Sequence, residues 1–259
     1  MMREIRRMLS VSLLGVLGVS SVTLADVDAT LAWSNRMDLA TPLAGVVERV
    51  EVQEGALVAR GDELAALAVR HLRAAVQRYE AEVVSARLQR EEAQRERQRN
   101  QELYDRASLA DHTLQMAVIG DARAEAELRA AQARLAEARH QLALATVRAP
   151  FDAVVVRRYV VPGQVVNGQL VAAPLISVAE AGYMVAKGHL DAARLNDFTR
   201  SAPIEVVVGE RRYSGEVVRV AMEPSEQGGH YGYAVEVRFA HDHPPGVLRA
   251  GLAARIRPQ

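Results

Sequence analysis

Among the side chains able to carry chemistry, His241-Asp242-His243 is the densest cluster, with His230 nearby. Two imidazoles beside a carboxylate suit a transition metal, but such a site needs about four ligands in a closed set. No closing set is evident, and Pro244-Pro245 follows directly. The run therefore reads as an exposed turn, and no metal is expected. The chain has no cysteine, which excludes disulfides, a thiol nucleophile, a thiolate metal site and an acylated lipoprotein cysteine. No Gly-rich phosphate loop, zincin helix or Gly-x-Ser-x-Gly nucleophile turn occurs. Lys187 is the only lysine, and the formal net charge is zero. That balance gives no pull toward nucleic acid or an acidic surface. The residues point away from an enzyme.

The elements tell more than any single side chain. Gly45-Val46-Val47 through Glu54-Gly55 to Gly61-Asp62-Glu63-Leu64 reads as short strands joined by Gly turns. Val50 and Val52 alternate with Arg49 and Glu51, the period of a half-buried strand. The stretch Ala153-Val154-Val155 through Pro162-Gly163 to Asn167-Gly168-Gln169-Leu170 repeats the pattern about 108 residues later. Between the copies the sequence is almost all helix-forming. Leu72 to Arg106 contains no Gly or Pro, and apolar residues step by four and three through Leu72, Val76, Tyr79, Val83 and Ala86. The pattern then decays into the charged run Arg90 to Arg99. The returning helix carries Ala124, Leu128, Ala131, Leu135, Ala138, Leu142 and Ala145. Small residues alternating with Leu at such spacing let two helices approach closely. The break falls near Ser108 to Thr113, where Asp111 or Thr113 is expected to cap the second helix. Arms of that length reach on the order of 50–60 Å at 1.5 Å per residue. An inserted hairpin leaves its ends side by side, so the two β halves can close into one sandwich.

The N-terminus has a basic start at Arg3, Arg6 and Arg7, an apolar run from Leu9 to Leu24, and Ala25 before Asp26. This reads as a secretory signal peptide. The run is short of the roughly 20 residues that span a bilayer, and an uncleaved anchor is the competing reading. Either places the mature chain across the cytoplasmic membrane. Beyond residue 176 the strands Ile204–Val208, Gly215–Val220, Tyr233–Phe239 and Leu252–Ile256, with one short helix between Asp191 and Thr199, suggest a small barrel.

Together these motifs resemble periplasmic adaptor subunits, the membrane fusion proteins of the HlyD type that serve tripartite efflux pumps. Gly45-Val46-Val47 through Gly61-Asp62-Glu63-Leu64 is similar to the family's first lipoyl half-motif. Thr146-Val147-Arg148-Ala149-Pro150-Phe151-Asp152-Ala153-Val154-Val155 is similar to the start of its second, departing at Ala153, where the family commonly has Gly. Leu248-Arg249-Ala250-Gly251-Leu252 is similar to the barrel-closing Leu-Arg-Pro-Gly-Met pattern.

The resemblance implies a multidomain α+β chain: a split lipoyl-like β-sandwich with an inserted antiparallel α-helical coiled-coil hairpin, followed by a small β-barrel. The expected divisions are a signal peptide at 1–25, a lead-in at 26–42, lipoyl halves at 43–66 and 146–175, the hairpin at 67–145 and the barrel at 176–259. Ending after the barrel pattern, the sequence reads as a short form. The resemblance further implies that the hairpin tip meets an outer-membrane channel through an Arg, a Leu four residues on, and a Ser or Thr seven beyond. Arg99 and Leu103 match the first two positions, and Ala110 falls at the third without the hydroxyl. A guanidinium would meet carboxylates or carbonyls, and Leu103 an apolar groove.

The implied partners are an inner-membrane transporter, resistance-nodulation-division (RND) type favoured over an ABC exporter, a TolC-like outer-membrane channel, and further copies of the chain. The implied location is the periplasm, associated with the inner membrane. A substrate-binding or chaperone-like periplasmic protein is the alternative of another class. A lipoyl or biotin carrier would need a modifiable lysine between the β halves; none occurs there, and no cofactor is expected.

Overall fold

The computed structural model describes residues 26–168, 173–199, 203–227 and 230–259; the expected signal peptide lies outside them. The chain opens with β1 (Val27–Trp33), β2 (Met37–Leu39), β3 (Ala44–Val50), β4 (Leu57–Val58) and β5 (Glu63–Leu67), followed by α1 (Arg70–Asp105) and α2 (Asp111–Leu144). Next come β6 (Thr146–Arg148), β7 (Ala153–Arg158), β8 (Val165–Asn167) and β9 (Ile176–Glu180). The remainder holds β10 (Tyr183–Leu190), a 3-10 helix (Ala192–Phe198), β11 (Ile204–Val208), β12 (Arg211–Val220), β13 (Ser225–Gln227), β14 (His230–Ala240) and β15 (Ala253–Pro258). Among the described residues no helix is long and apolar enough to cross a membrane.

Two four-stranded sheets, ordered β2-β9-β7-β4 and β6-β5-β3-β8, form the sandwich, and each draws strands from both sides of the helices. The sequence repeat survives as paired register. Gly45 faces Val166 and Val46 faces Val165; their counterparts Ala153 and Val154 face Val58 and Leu57. The turns match as well. The Gly55 N–H donates to the Val155 carbonyl at 2.8 Å, and the Gly163 N–H to the Val47 carbonyl at 2.8 Å. Both glycines sit at φ near +85° (84° and 87°), a region glycine enters without steric cost. The departure at Ala153 is absorbed by packing, since its methyl lies fully buried in the core with Val47, Leu64, Val155, Ile176 and Val178.

The helices pair along the expected seam: Val83 and Ala86 pack on Ala131, flanked by Leu128 and Leu135. The seam does not stop at the charged run. Arg90, Ala93, Arg97, Asn100 and Tyr104 continue the same four-three step, with Leu114, Ala117 and Asp121 doing so on α2. Arg97 Nε lies 2.9 Å from Asp121 Oδ2, whose side chain is only 14% exposed. The apolar signal ends there while the helical interface continues with polar residues. At 1.5 Å per residue the arms extend roughly 50 Å. Their base is fastened to the sandwich. Buried Thr41 donates its hydroxyl to the Leu144 carbonyl at 2.7 Å, one of the acceptors a helix C-terminus leaves open. The Leu67 N–H donates to the Ala145 carbonyl at 2.9 Å, and Leu72 and Leu142 pack against the sandwich core.

The turn between the helices is a Schellman motif. The Ser108 N–H donates to the Leu103 carbonyl at 2.9 Å and the Ala107 N–H to the Tyr104 carbonyl at 2.8 Å. Ala107, where glycine is usual, has φ 55°. Neither Asp111 nor Thr113 caps α2: Ala110 holds the N-cap position with no side-chain bond, and Asp111 lies in the first turn.

The barrel is one sheet ordered β10-β1-β15-β11-β12-β14-β13, closed by an additional β10–β14 pairing. The segment expected as a lead-in at 26–42 is not a free approach to the sandwich. Val27, Ala29 and Leu31 alternate inward in β1, between β10 and β15, while β2 joins the sandwich. Ile176–Glu180, expected at the start of the barrel, also pairs in the sandwich. Phe198, at the end of the 3-10 helix, joins Leu31, Phe239 and Ile256 in the barrel core. The Leu248–Leu252 turn closes onto β1: the Gly251 N–H donates to the Leu31 carbonyl at 2.8 Å, and the Leu31 N–H to the Leu252 carbonyl at 2.9 Å. Arg257 grips Asp26 through two hydrogen bonds, at 2.8 and 2.9 Å. This holds the Asp26 carboxyl below its ordinary value of 3.8.

Two outcomes follow. Ala107→Gly should relieve the left-handed backbone and stabilise the turn by about 1 kcal/mol, read as slower amide exchange from Leu103 to Leu114. Asp26→Asn should lower the thermal midpoint at pH 7. A depressed carboxylate contributes its stability above its unfolded value and loses it as pH falls. The gap to the parent should therefore close below about pH 3.8.

Candidate partner-binding site at the hairpin tip

α1 is long because nothing in Arg70–Asp105 breaks it, and its far end carries the expected tip residues. Arg99 and Leu103 lie one turn apart on a face beside the seam positions Arg97, Asn100 and Tyr104. Leu103 sits in the last turn of α1, 37% exposed, and its carbonyl anchors the connecting turn. Ala110 stands across that turn with extended backbone, φ −72° and ψ 142°. The three expected residues thus meet at one end of the hairpin, and the third occupies the N-cap of α2. A Ser or Thr there would accept a hydrogen bond from the first helical turn. The missing hydroxyl is also a missing cap.

The tip carries more apolar surface than the three positions. Tyr104 is exposed on α1, and Met116 (54%), Val118 and Ile119 (58%) on α2. Sequence reasoning passed over the α2 residues. The available signal was their phase: they fall off the step Leu114, Ala117, Asp121, Ala124 and must therefore face outward. Behind the tip the arm balances its own charges. Arg95 hydrogen-bonds Glu92 at 2.6 Å; that bond, aided by the charges of Arg95 and Arg99, holds the Glu92 carboxyl below its usual value. Arg123–Glu127, Arg129–Glu125, Arg139–Glu80 and Arg134–Glu82 pair along or across the helices. Exposed pairs of this kind contribute little to stability. The arrangement offers a guanidinium and an apolar wedge on a long rigid arm, which suits recognition of another protein.

The other candidate chemistry lies elsewhere. Lys187 is in the barrel, 3.1 Å from Glu236, far in sequence and fold from the sandwich turns. His241-Asp242-His243 is not simply an exposed turn. Asp242 is fully exposed, but the His243 side chain is only 21% exposed, 2.8 Å from the Tyr213 hydroxyl, and its ring stacks with His241 at 6.1 Å. Among the described residues no group of three or more His, Cys, Asp or Glu could hold a metal ion.

Residues 36–180 match the CzcB-like, barrel-sandwich hybrid domain. The chain is 31% identical over 219 residues to the nodulation protein NolF of Rhizobium meliloti (strain 1021), covering 84% of this chain and 58% of NolF. The membrane fusion protein Spr0693 of Streptococcus pneumoniae R6 superposes with a TM-score of 0.68 at 16% identity, over 91% of this chain and 98% of that one. A MacA-MexA chimera containing the α-hairpin domain of Pseudomonas aeruginosa MexA gives 0.69 at 20% identity, over 90% and 80%. With the sandwich, inserted hairpin and closed barrel in place, the chain belongs to the CzcB-like barrel-sandwich hybrid family and has the fold of the membrane fusion proteins.

Proposed function

We propose that this chain is a periplasmic adaptor joining an inner-membrane efflux transporter, RND type favoured, to a TolC-like outer-membrane channel. The observation that carries the reading is the hairpin. A roughly 50 Å arm with little core of its own is fastened at its base by Thr41, Leu72 and Leu142 and presents Arg99 and Leu103 at its far end. An arm of that length serves to reach something remote. The membrane fusion fold of Spr0693 and of the MacA-MexA chimera supports the same role.

In this reading residues 1–25 direct export and the rest works in the periplasm beside the inner membrane. The sandwich stacks with other copies around the transport path. The barrel docks on the transporter, and the hairpin meets the channel through Arg99, Leu103 and the Ala110 corner. The chain performs no covalent chemistry; the transporter supplies the energy. One observation favours a substrate-binding role instead: an open cavity of about 460 Å³ on the barrel, lined by Asp28, Lys187, His189 and Arg194 among others.

Photocrosslinking in cells separates the two. A photoreactive residue at position 103 should capture an outer-membrane channel, while one at the exposed mid-arm position 88 should not. Capture from both, or of soluble periplasmic proteins alone, would overturn the tip assignment. Ala110→Ser should stabilise the start of α2 by about 1 kcal/mol and raise the adduct yield from position 103. Leu103→Asp should abolish export while leaving the fold and expression intact.

A further inference from the structure

The chain passes between sandwich and barrel twice, at Trp33–Met37 and at Glu180–Tyr183. One carboxylate ties these crossings to the barrel. The Ser34 hydroxyl donates to Glu180 Oε2 at 2.8 Å, the Glu180 N–H returns to the Ser34 carbonyl at 3.1 Å, and Arg238 donates to Glu180 Oε1 at 2.6 Å. The Arg238 guanidinium also covers the Tyr183 ring at 3.8 Å. The segment after β14 extends the β10–β14 ladder by one rung onto the second crossing, with the His241 N–H donating to the Gly182 carbonyl at 2.8 Å. Between loop and sandwich lies a narrow cavity whose walls include Trp33, Leu57, Val154, Gly182, His241 and His243.

We propose that His241, stacked on His243, is an acid-sensitive latch that holds this loop, and through it the barrel, against the sandwich. The surroundings favour a neutral His241. His241 Nδ1 is buried without a hydrogen-bond partner in the structure, and its ring stacks on that of His243. From β12, Arg211 Nη1 approaches His243 Nε2 at 3.2 Å beside the Tyr213 hydroxyl. Of the acidic groups, Glu180 is committed to Arg238 and Ser34, and Asp242, 3.9 Å from His243 Nδ1, is wholly exposed. A proton on the His241 ring therefore places charge in a half-buried position against a second imidazole, with Asp242 out in solvent.

Burial and the neighbouring His243 hold the His241 pKa below its ordinary 6.5. A closed junction thus binds fewer protons than an opened one. Its stability is complete above about pH 6.5 and declines as pH falls through that value. Acidification releases the loop from Gly182 and widens the range of angles between barrel and sandwich.

The absence of cysteine makes the test direct. Spin labels at Gln53→Cys on the sandwich and Glu210→Cys on the barrel of the full chain should give a narrow distance distribution at about pH 7.5 and a broad one at about pH 5.5, to either side of the ordinary histidine value. A variant with both His241→Gln and His243→Gln should respond far less to pH, while a His189→Gln control should behave as the parent. An unchanged parent distribution, or full broadening in the double variant, would overturn the latch. Hydrogen exchange on the unmodified chain gives a second reading should the double variant misfold. After correction for the intrinsic pH effect, protection of the His241 amide should fall several-fold between the two pH values, and constant protection counts against the proposal.

Discussion

Pairing of β3 with β8 and of β4 with β7 is the constraint on which the rest of the molecule depends. These partners lie between 95 and 123 residues apart in sequence, and a flexible loop of that length would carry a substantial closure entropy. The hairpin removes much of that cost. Its contacts are nearly all between α1 and α2, and an antiparallel helix pair returns the chain to where it started. Thr41 and Leu67 then bind the returning end through the Leu144 and Ala145 carbonyls. The insertion that divides the sandwich is therefore also what reunites it.

The hairpin itself is graded from base to tip. Near the base, Leu72 and Leu142 share the sandwich core. Mid-arm, alanines at 86 and 131 permit close approach. Farther out the interface turns polar at Arg97 and Asp121. A polar pair at a seam position contributes less stability than an apolar one but specifies register. Each step outward leaves the arm with less burial to hold it, until the Schellman turn at Ala107 closes the end.

Much of this was legible in the residues. The repeat showed because strand and glycine positions recur at one offset, and that offset reappears as matched register at Gly45–Val166 and Ala153–Val58. The Ala/Leu seam of α2 showed because its spacing is regular and its residues apolar. The distal seam was hidden because hydrophobicity fades at Arg90 while the spacing persists; spacing alone would have carried it to Tyr104. β1 was hidden because three modest apolar residues, Val27, Ala29 and Leu31, make a weak alternation that only its two neighbours complete. The α2 cap failed because side-chain preference pointed to Asp111 and Thr113, whereas the Schellman turn fixed the helix start one residue earlier, at Ala110. The burial of His243 arises from its packing against Tyr213 of β12, a contact between distant segments that no local pattern announces.

The two crossings at Trp33–Met37 and Glu180–Tyr183 lie side by side, joined through Ser34 and Glu180. Two connections lying side by side bend more easily out of their common plane than within it, so the junction has a soft direction. The arm beyond it multiplies any motion in that direction. With a reach of roughly 50 Å, each degree of bend carries the tip sideways by roughly 1 Å. A small change at Glu180 is therefore felt at Leu103 as a displacement several times larger.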